Sequence, residues 1–381
     1  KARVNCFSYE TNEPFVIHIE SMLHRNRSFH GDQVCVEIIS NEDDSVQGRV
    51  VGILREGQRD FVVSMNPDDR HGTTKRQFNV VPMDYRTPKI RLSSRLSPKL
   101  WDVRFTVRVS SWPTNSKYPH GFFLDILGPI GDLDTEAKGL VIQHQLPLAL
   151  KAFSKDALEC LPNHAVDDRH LQITEDHLKD RKDLRKTHFI CSIDPIGCVD
   201  IDDALSVRYL NDGELIEIGV HIADVTHYVK PNTALDLEAQ QRCSTIYLVH
   251  KRLDMLPGVL SSNLCSLHQG VDRLAVSIFW TYQAKTNKVV STWKGRTIIR
   301  NKYALHYDQA QNIVDNKTAK RVIRGTWQEC IVDKEDMVSL KKRLITLQAF
   351  ARRRRAQRIA AGSVELHSMD TVVFKLDSQK R

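Results

Sequence analysis

The 381-residue sequence lacks an apolar run of the roughly 18 residues that a helix needs to cross a bilayer. Its first residues, KARVNCFSYE, contain no apolar stretch followed by a cleavage site, as a secretory signal would. The eight cysteines form no Cys-x-x-Cys pair, so neither a zinc ribbon nor a redox motif is predicted. We therefore expect a soluble intracellular protein whose cysteines are reduced and mostly interior.

The overall composition is that of a globular protein with an excess of basic residues. Hydrophobic residues make up 41% and charged residues 27% of the chain, which is long enough for two or three domains. The net charge is +8 and the isoelectric point is near 9.0. This charge permits a polyanionic partner without establishing one, because many basic proteins only carry solvated lysines.

The basic residues are concentrated between Tyr85 and Tyr118. This segment has eight basic residues and one acid, with Trp101, Phe105 and Trp112 interleaved. Cations beside aromatic rings suit single-stranded nucleic acid, whose phosphates they neutralise and on whose bases the rings stack. A barrel with buried rings and solvated arginines has the same composition, so the segment alone favours neither interpretation.

Short strands are predicted over residues 46–133, and together they suggest a β-barrel. The sequence GRVVGIL, a polar REGQRD turn and FVVSM has the pattern of a hairpin. In RFTVRV, alternation places Phe105, Val107 and Val109 on one face. Arg104, Thr106 and Arg108 are predicted on the other, outward face.

Helical spacing over residues 134–186 predicts a helical connector, after which strands return from His188. Asn211-Asp212-Gly213 lies between two apolar runs and predicts a hairpin turn. A long amphipathic helix is predicted around Met337–Ala351, continuing through four arginines and stopping at Gly362. Arginines in a final turn suit the helix dipole, and phosphate contact is the alternative.

The segment SIDPIGCVDIDDAL has the highest density of side chains that could bind a metal or take part in catalysis. It contains Asp194, Asp200, Asp202 and Asp203 between apolar strands. Four carboxylates next to a core repel one another, and a hard cation such as Mg²⁺ would stabilise them. Asp-rich turns also often cap backbone amides, so the spacing alone leaves both interpretations open. An EF-hand is not indicated, because the required glutamate is missing at the twelfth position.

The spacing of these aspartates, one followed by others six, eight and nine positions later, resembles the catalytic segment of the ribonuclease II/R superfamily. The resemblance continues through IGVHIADVTHYV, STIYLVHKRLDMLP, LSSNLCSL and VDRLAVSIFW. Upstream, HGDQV and GRVVGI resemble the cold-shock barrels that precede this catalytic domain. The phrases YLVHKRLDMLP and LSSNLCSLHQGVDRLA are most similar to the eukaryotic branch, which comprises the hydrolytic subunit of the RNA exosome and its exosome-independent relatives. The likeness covers most of residues 30–381.

The resemblance implies an α+β fold class, in which an OB-fold, cold-shock-like β-barrel precedes a mixed α/β catalytic domain of RNB type. The expected division is a remnant of a first barrel over 1–42, a second barrel over 43–133, the helical connector over 134–186, and the amino-terminal part of the RNB domain over 187–381.

The resemblance also implies roles for individual residues. Asp194 and Asp203 would hold a first Mg²⁺, and Asp202 would assist a second, with Mn²⁺ as a substitute. Asp200 would support the cluster, so all four aspartates are candidate catalytic and metal-binding residues. Tyr247 would stack on a base near the RNA 3′ end. Within HIADV, His221 and Asp224 either contact RNA or brace the site. The residues assigned to RNA contact are Tyr247, His221, Arg296, Arg300, Arg104 and Arg108.

The implied activity is 3′→5′ hydrolysis of single-stranded RNA to nucleoside 5′-monophosphates by two-metal catalysis. The implied partners are RNA and the exosome core, the implied location is nucleus and cytoplasm, and no membrane association is expected. The family's later segments, including an arginine for the scissile phosphate, do not occur before Arg381, so we expect the chain alone to be incomplete as an enzyme. The alternatives are a non-catalytic RNA-binding or scaffolding module inside a larger protein, and a cold-shock-type RNA chaperone.

Overall fold

We analyse the protein through a computed structural model, which describes residues 2–7, 12–42, 45–66, 77–94, 99–146, 150–162, 173–316 and 330–364. The chain forms two compact units, Lys1–Lys151 and Ala152–Arg381. Among the described residues, no helix is both long enough and apolar enough to span a membrane.

The first unit begins with a four-stranded sheet in the order β1-β2-β4-β3. Its strands are β1 (Ala2–Phe7), β2 (Pro14–Ile19), β3 (Gln33–Glu42) and β4 (Ser45–Arg55). Alternation along the strands places Ile17, Ile19 and Val50 on one buried face. This face forms a small hydrophobic core of its own.

A closed five-stranded barrel follows, in the order β5-β6-β7-β9-β8. Its strands are β5 (Asp60–Met65), β6 (Gln77–Pro82), β7 (Ile90–Ser93), β8 (Val103–Ser111) and β9 (His120–Pro129). The predicted alternation in β8 is confirmed for Phe105, Val107 and Val109, which are buried in the barrel core, and for Arg108, which is exposed. It is wrong for Thr106, which is buried as well. Helix α1 (Leu133–Gln143) then starts at Asp132, whose side chain accepts from the Thr135 amide.

The predicted hairpin of GRVVGIL with FVVSM is wrong. β4 pairs with β3 and β2 in the first sheet, whereas β5 pairs with β6 and β8 in the barrel. The break between sheet and barrel therefore lies between Arg55 and Asp60, and the expected boundary at residues 42/43 would separate the paired strands β3 and β4. A turn pattern between two apolar runs does not reveal which strands pair, because strand pairing is decided by long-range contacts.

The second unit is built on a seven-stranded sheet in the order β10-β17-β16-β13-β12-β11-β18. Its strands are β10 (Lys182–Asp183), β11 (Ile190–Asp194), β12 (Asp203–Leu210), β13 (Leu215–Ala223), β16 (Asp272–Gln283), β17 (Val289–Arg300) and β18 (Tyr303–His306). A separate pair joins β14 (Ile246–Tyr247) to β15 (Arg252–Leu253). The hairpin predicted at Asn211-Asp212-Gly213 is confirmed, since β12 and β13 are antiparallel on either side of it. All three turn residues have positive φ, which Asn, Asp and Gly tolerate best.

Both faces of this sheet are covered. In β11, Ile190 belongs to a cluster that includes residues of α2 (Lys155–Glu159) and α4 (Ala234–Arg242). The next residue, Cys191, belongs to a cluster that includes residues of α5 (Tyr307–Val314) and α6 (Lys334–Ala360). Because successive strand residues point to opposite faces, β11 is buried on both sides, and its final residue, Asp194, lies at the edge of a well-packed core.

The long helix predicted near the carboxyl end is confirmed as α6, which buries Leu340 and Leu344. The charged segment EDHLKDRKDLRK, in contrast, forms only the five-residue helix α3 (Glu175–Lys179) before β10 begins. Strand pairing of Lys182 with Thr297 overrides its helical charge pattern. The four-part domain division as a whole stays a prediction.

All eight cysteines are free thiols. Cys191 and Cys265 are buried, and four more are partly buried and pack against the hydrophobic cores, namely Cys6, Cys160, Cys198 and Cys330. The expectation of mostly interior thiols is therefore confirmed, with two exceptions. Cys35 lies on the exposed side of β3, and Cys243 follows α4 at an exposed position. A strand or helix end exposes whichever residue its periodicity directs outward, whatever the intrinsic preference of a thiol for burial.

Candidate active site

The four aspartates lie on one loop and its two strand ends. Asp194 is the last residue of β11, Asp203 is the first residue of β12, and residues 195–202 connect these antiparallel neighbours. The ladder pairs Cys191 with Leu205 and extends no closer to the loop. The strand ends and the loop hold the four carboxylates near enough for their charges to affect one another.

Burial and mutual repulsion perturb these carboxylates. Burial raises the pKa of Asp194 above its usual range, and the negative charges of Asp203, Asp202 and Asp200 raise it further, against a hydrogen bond from Ser192. The pKa of Asp202 is also raised, first by burial and then by Asp200 and Asp203. The loop thus gathers acidic groups that disfavour one another's ionisation, as expected for a site that binds a cation.

Asp200 has a cationic and a phenolic partner. Arg252 Nη1 lies 3.0 Å from Asp200 Oδ1, and the Tyr247 hydroxyl donates to Asp200 Oδ2 at 3.1 Å. Tyr247 and Arg252 are cross-strand neighbours in the β14–β15 pair, so one small ladder presents both groups to the loop. Arg252 is held in turn by Asp254 and by the hydroxyl of Ser262. The side chain of Tyr247 is 70% exposed, which leaves its ring accessible.

The donor set fits a hard divalent cation. Asp194 Oδ2 is buried and has no hydrogen-bond partner, and such an orphaned carboxylate oxygen is costly unless a cation accepts it. Every candidate ligand is an oxygen, which is what Mg²⁺ prefers. Within the described residues, no three His, Cys, Asp or Glu side chains are arranged so that they could already enclose a metal ion. The chemistry of the site therefore fits a metal more clearly than its geometry does.

Of the two roles left open for His221, the geometry supports bracing rather than direct contact with RNA. Its side chain is fully buried between the hydroxyls of Ser206 and Ser277, at 2.9 Å and 2.7 Å. Ser277 is bonded to Thr297 in turn, at 2.6 Å. Burial lowers the pKa of His221 to about 3, so the imidazole is neutral near neutral pH. His221 braces three adjacent strands of the sheet.

Asp224 is likewise internal. Its Oδ2 lies 2.5 Å from Arg181 Nη2, and its Oδ1 accepts from the Thr226 hydroxyl at 2.6 Å. Both partners of this ion pair are almost completely buried. Of the two roles left open for Asp224, the geometry supports bracing.

The arginines assigned to RNA contact differ in their surroundings. Arg296 is 53% exposed, and its nearest carboxylate, Asp224, is 3.9 Å away. Arg300 is also exposed but pairs with Asp272 at 2.7 Å. Both lie on β17, four residues apart and outside the aspartate cluster. The RNA role of these two residues stays a prediction.

In the barrel, Arg104 pairs with Glu136 and Arg108 forms two hydrogen bonds with Asp60. The aromatic residues of this basic segment belong to the core, since Phe105 is buried and Trp101 and Trp112 are partly buried and pack against the same core. The segment therefore matches the alternative of a barrel with internal rings, although its exposed cations still suit a polyanion. Arg95 lies outside the described residues.

Sequence reasoning missed Arg252 as a member of the site. It lies within the STIYLVHKRLDMLP segment that carries the family resemblance, next to another cation, Lys251. The sequence does not show which of the two cations lies near Asp200, whereas the β14–β15 pairing does. The spacing of five residues after Tyr247 is the one signal that a hairpin model could have used.

Three family models of known proteins together match most of the chain. The RNB domain model matches residues 181–381, and the Dis3-like cold-shock domain 2 model matches residues 77–145. The model described as 3'-5' exoribonuclease HELZ2, OB-fold domain matches residues 2–59. The last match ends at the break between the first sheet and the barrel seen in the structure.

Among curated proteins, the chain is 37% identical over 335 residues to the exosome complex exonuclease RRP44 of Mus musculus, covering 78% of this chain and 34% of that protein. Among solved structures it resembles Mycoplasma genitalium RNase R in complex with ribose methylated single-stranded RNA, with a TM-score of 0.75, 20% identity, and coverage of 100% of this chain and 56% of that one. It also resembles yeast Ssd1, a pseudonuclease, with a TM-score of 0.64, 22% identity, and coverage of 91% and 45%. The chain spans about a third of the length of the RRP44 relative.

Proposed function

The chain belongs to the RNB family of the ribonuclease II/R superfamily, as its sequence motifs predicted, and from this membership we propose that the protein degrades single-stranded RNA from its 3′ end. The products would be nucleoside 5′-monophosphates. The observation that carries the proposal is the group of four aspartates, in which partial desolvation and mutual repulsion raise the pKa of Asp194 and Asp202 and in which Asp194 Oδ2 is buried without a hydrogen-bond partner.

We assign Asp194, Asp200, Asp202 and Asp203 as the residues that would hold divalent metal, with two Mg²⁺ ions as the preferred occupants and Mn²⁺ as a substitute. Bound divalent ions lower the pKa of an attacking water and neutralise charge on the phosphate. Asp200 would support the cluster and is also paired with Arg252.

The chain's own residues supply orientation and electrostatics. The exposed ring of Tyr247 lies beside the aspartate loop, where it would stack on a base near the RNA 3′ end. Stacking uses a ring face that every base has, so it would tolerate sequence variation. The hydrogen bond to Asp200 limits where the ring can lie, and Arg252 neutralises a carboxylate that would otherwise repel the incoming phosphate.

The test is degradation of a 5′-labelled single-stranded RNA with Mg²⁺ by the longest natural form of the protein. The wild type should shorten the RNA from its 3′ end, and Asp202→Asn should abolish shortening while RNA binding persists. Asp212→Asn is a matched control, because it makes the same chemical change at the exposed β12–β13 turn. Tight binding without shortening by the wild type would overturn the catalytic proposal.

A second candidate function is that of a non-catalytic RNA-binding or scaffolding module, and the fold likeness to a pseudonuclease favours it. Retention of all four aspartates opposes it, since a site without a cation has no electrostatic reason to keep four repelling carboxylates. The degradation assay separates the two candidates.

We also propose that the protein contacts the exosome core and is found in nucleus and cytoplasm. The exosome contact is supported by the name of the RRP44 relative, and the location follows from the same resemblance. Co-purification of the natural protein with exosome subunits tests the contact.

A further inference from the structure

One serine holds the backbone on both sides of Asp200. Ser266 Oγ donates to the Val199 carbonyl at 2.9 Å and accepts from the Ile201 amide at 2.9 Å. These two groups flank Asp200, so a single hydroxyl fixes the course of the chain in the middle of the aspartate loop. Ser266 is 1% exposed, and solvent does not compete for these bonds.

Ser266 is oriented by a buried arginine. Arg273, also 1% exposed, donates from Nε to the Ser266 carbonyl at 2.8 Å and from Nη1 to the Asp272 carbonyl at 3.0 Å. A guanidinium is costly to bury unless its donors are satisfied, so these bonds restrict its position tightly. Burial accordingly lowers the pKa of Arg273. The serine is therefore fixed from behind by a side chain that has little freedom to move.

The segment that carries Ser266 also reaches the carboxylate of Asp200. Ser262 accepts from Arg252, the residue that pairs with Asp200. Ser262 lies within the turn Leu260–Leu264, which is π-helical, an uncommon conformation that is frequently found at functional sites. One short segment thus holds the backbone of Asp200 through Ser266 and its side chain through Ser262 and Arg252.

We propose that Ser266, oriented by Arg273, is a positioning residue that sets the geometry of the metal-binding aspartates. The inference deepens the proposed function and rests on it. Mutation of a residue that holds a metal ligand in place, without binding the metal itself, typically lowers metal affinity by about 10- to 100-fold. Loss of the Ser266 hydroxyl should therefore weaken metal binding by about this factor and lower kcat, while the KM for RNA stays near the wild-type value.

The test is isothermal titration of the longest natural form with Mn²⁺, for the wild type, Ser266→Ala and the milder Arg273→Lys. Ser277→Ala is the matched control. Ser277 is also a fully buried hydroxyl with two side-chain partners, but it bonds to His221 and Thr297, away from the loop. We expect Ser266→Ala to bind Mn²⁺ about 10- to 100-fold more weakly and Arg273→Lys to shift in the same direction. Ser277→Ala should bind like the wild type.

Wild-type Mn²⁺ affinity in both Ser266→Ala and Arg273→Lys would overturn the inference, and so would an equal loss in Ser277→Ala, which would indicate general destabilisation. RNA binding in EDTA should be the same for every variant, and a selective loss in Ser266→Ala would also overturn it. If the metal effects occur as expected but no form shortens RNA, the proposed function fails while the positioning role stands.

Discussion

Removing one partner of the buried ion pair between Asp224 and Arg181 should strongly destabilise the second unit. The pair has 0% and 4% side-chain exposure and a 2.5 Å contact. Asp224→Asn keeps the size of the side chain, so it creates no cavity and removes the charge and one of the two acceptor oxygens. The single remaining oxygen cannot serve both Arg181 and Thr226, and the buried guanidinium loses its charged partner. Its other contacts are long, at 3.5 Å, to two backbone carbonyls. Removing one partner of a buried pair costs about 3–5 kcal/mol.

The exposed Arg296, 3.9 Å from Asp224, belongs to the same group but contributes little, because solvent screens it. Burial opposes the ionisation of Asp224, but the hydrogen bonds from Thr226 and Arg181 and the charge of Arg181 outweigh it and hold its pKa below the usual range. The stabilisation is therefore present above the unfolded-state pKa of about 3.9 and is lost as the pH falls through the lower native value.

Urea unfolding near neutral pH, followed by circular dichroism and tryptophan fluorescence, measures the loss. The control is Asp176→Asn, which breaks the exposed pair with Lys179 and should cost less than about 1 kcal/mol. Arg181→Met combined with Asp224→Asn should recover part of the loss, because no uncompensated charge remains buried. A cost for Asp224→Asn no larger than that of the control would refute the reasoning.

Two further predictions concern the sheet and the helix that covers it. Because burial lowers the pKa of His221 to about 3, the unfolded chain takes up a proton that the native state does not, and the free energy of unfolding should fall by up to about 1.4 kcal/mol per pH unit below about pH 6.5. Urea titrations of His221→Gln should show a shallower slope, and an identical slope would contradict this. Leu344→Ala should lower the free energy of unfolding by about 2–5 kcal/mol in urea or thermal unfolding, since Leu344 is 3% exposed. Ile345→Ala, at the half-exposed neighbouring position, should lower it far less. Equal losses would contradict the burial of this face of α6.

Features determined by neighbouring residues were predictable from the sequence. The alternation of Phe105 with Arg104, the Asn-Asp-Gly turn and the amphipathic spacing of α6 all follow from backbone periodicity, and each is found as expected. The fold class and the family were also predictable, because the aspartate spacing is local to one loop and its strand ends.

Features that depend on distant residues were not predictable. A turn pattern joins β4 to β5 in the sequence, yet β4 pairs with β3. Histidine is a residue type common in functional sites, yet His221 lies in the interior of the sheet. Arg252 and Ser266 reach the aspartate loop from 52 and 66 residues beyond Asp200, across pairings that no local pattern specifies. Candidate ligands could be proposed from the sequence, whereas the contacts that hold the aspartate loop required the structure.

The strand order of the large sheet has a consequence for biosynthesis. Asp194 ends a strand whose outer neighbour is β18, with Asp194 opposite His306, about 110 residues later in the chain. At a synthesis rate of roughly 5–20 residues per second, the ribosome needs about 6 to 22 s to supply that neighbour after Asp194 has been added. During this interval the edge of β11 has no partner from β18, and four acidic side chains lie beside an unfinished core. Charged side chains at an unpaired strand edge disfavour pairing with another chain. We therefore expect these acids to disfavour association of β11 with other nascent chains until β18 has been synthesised.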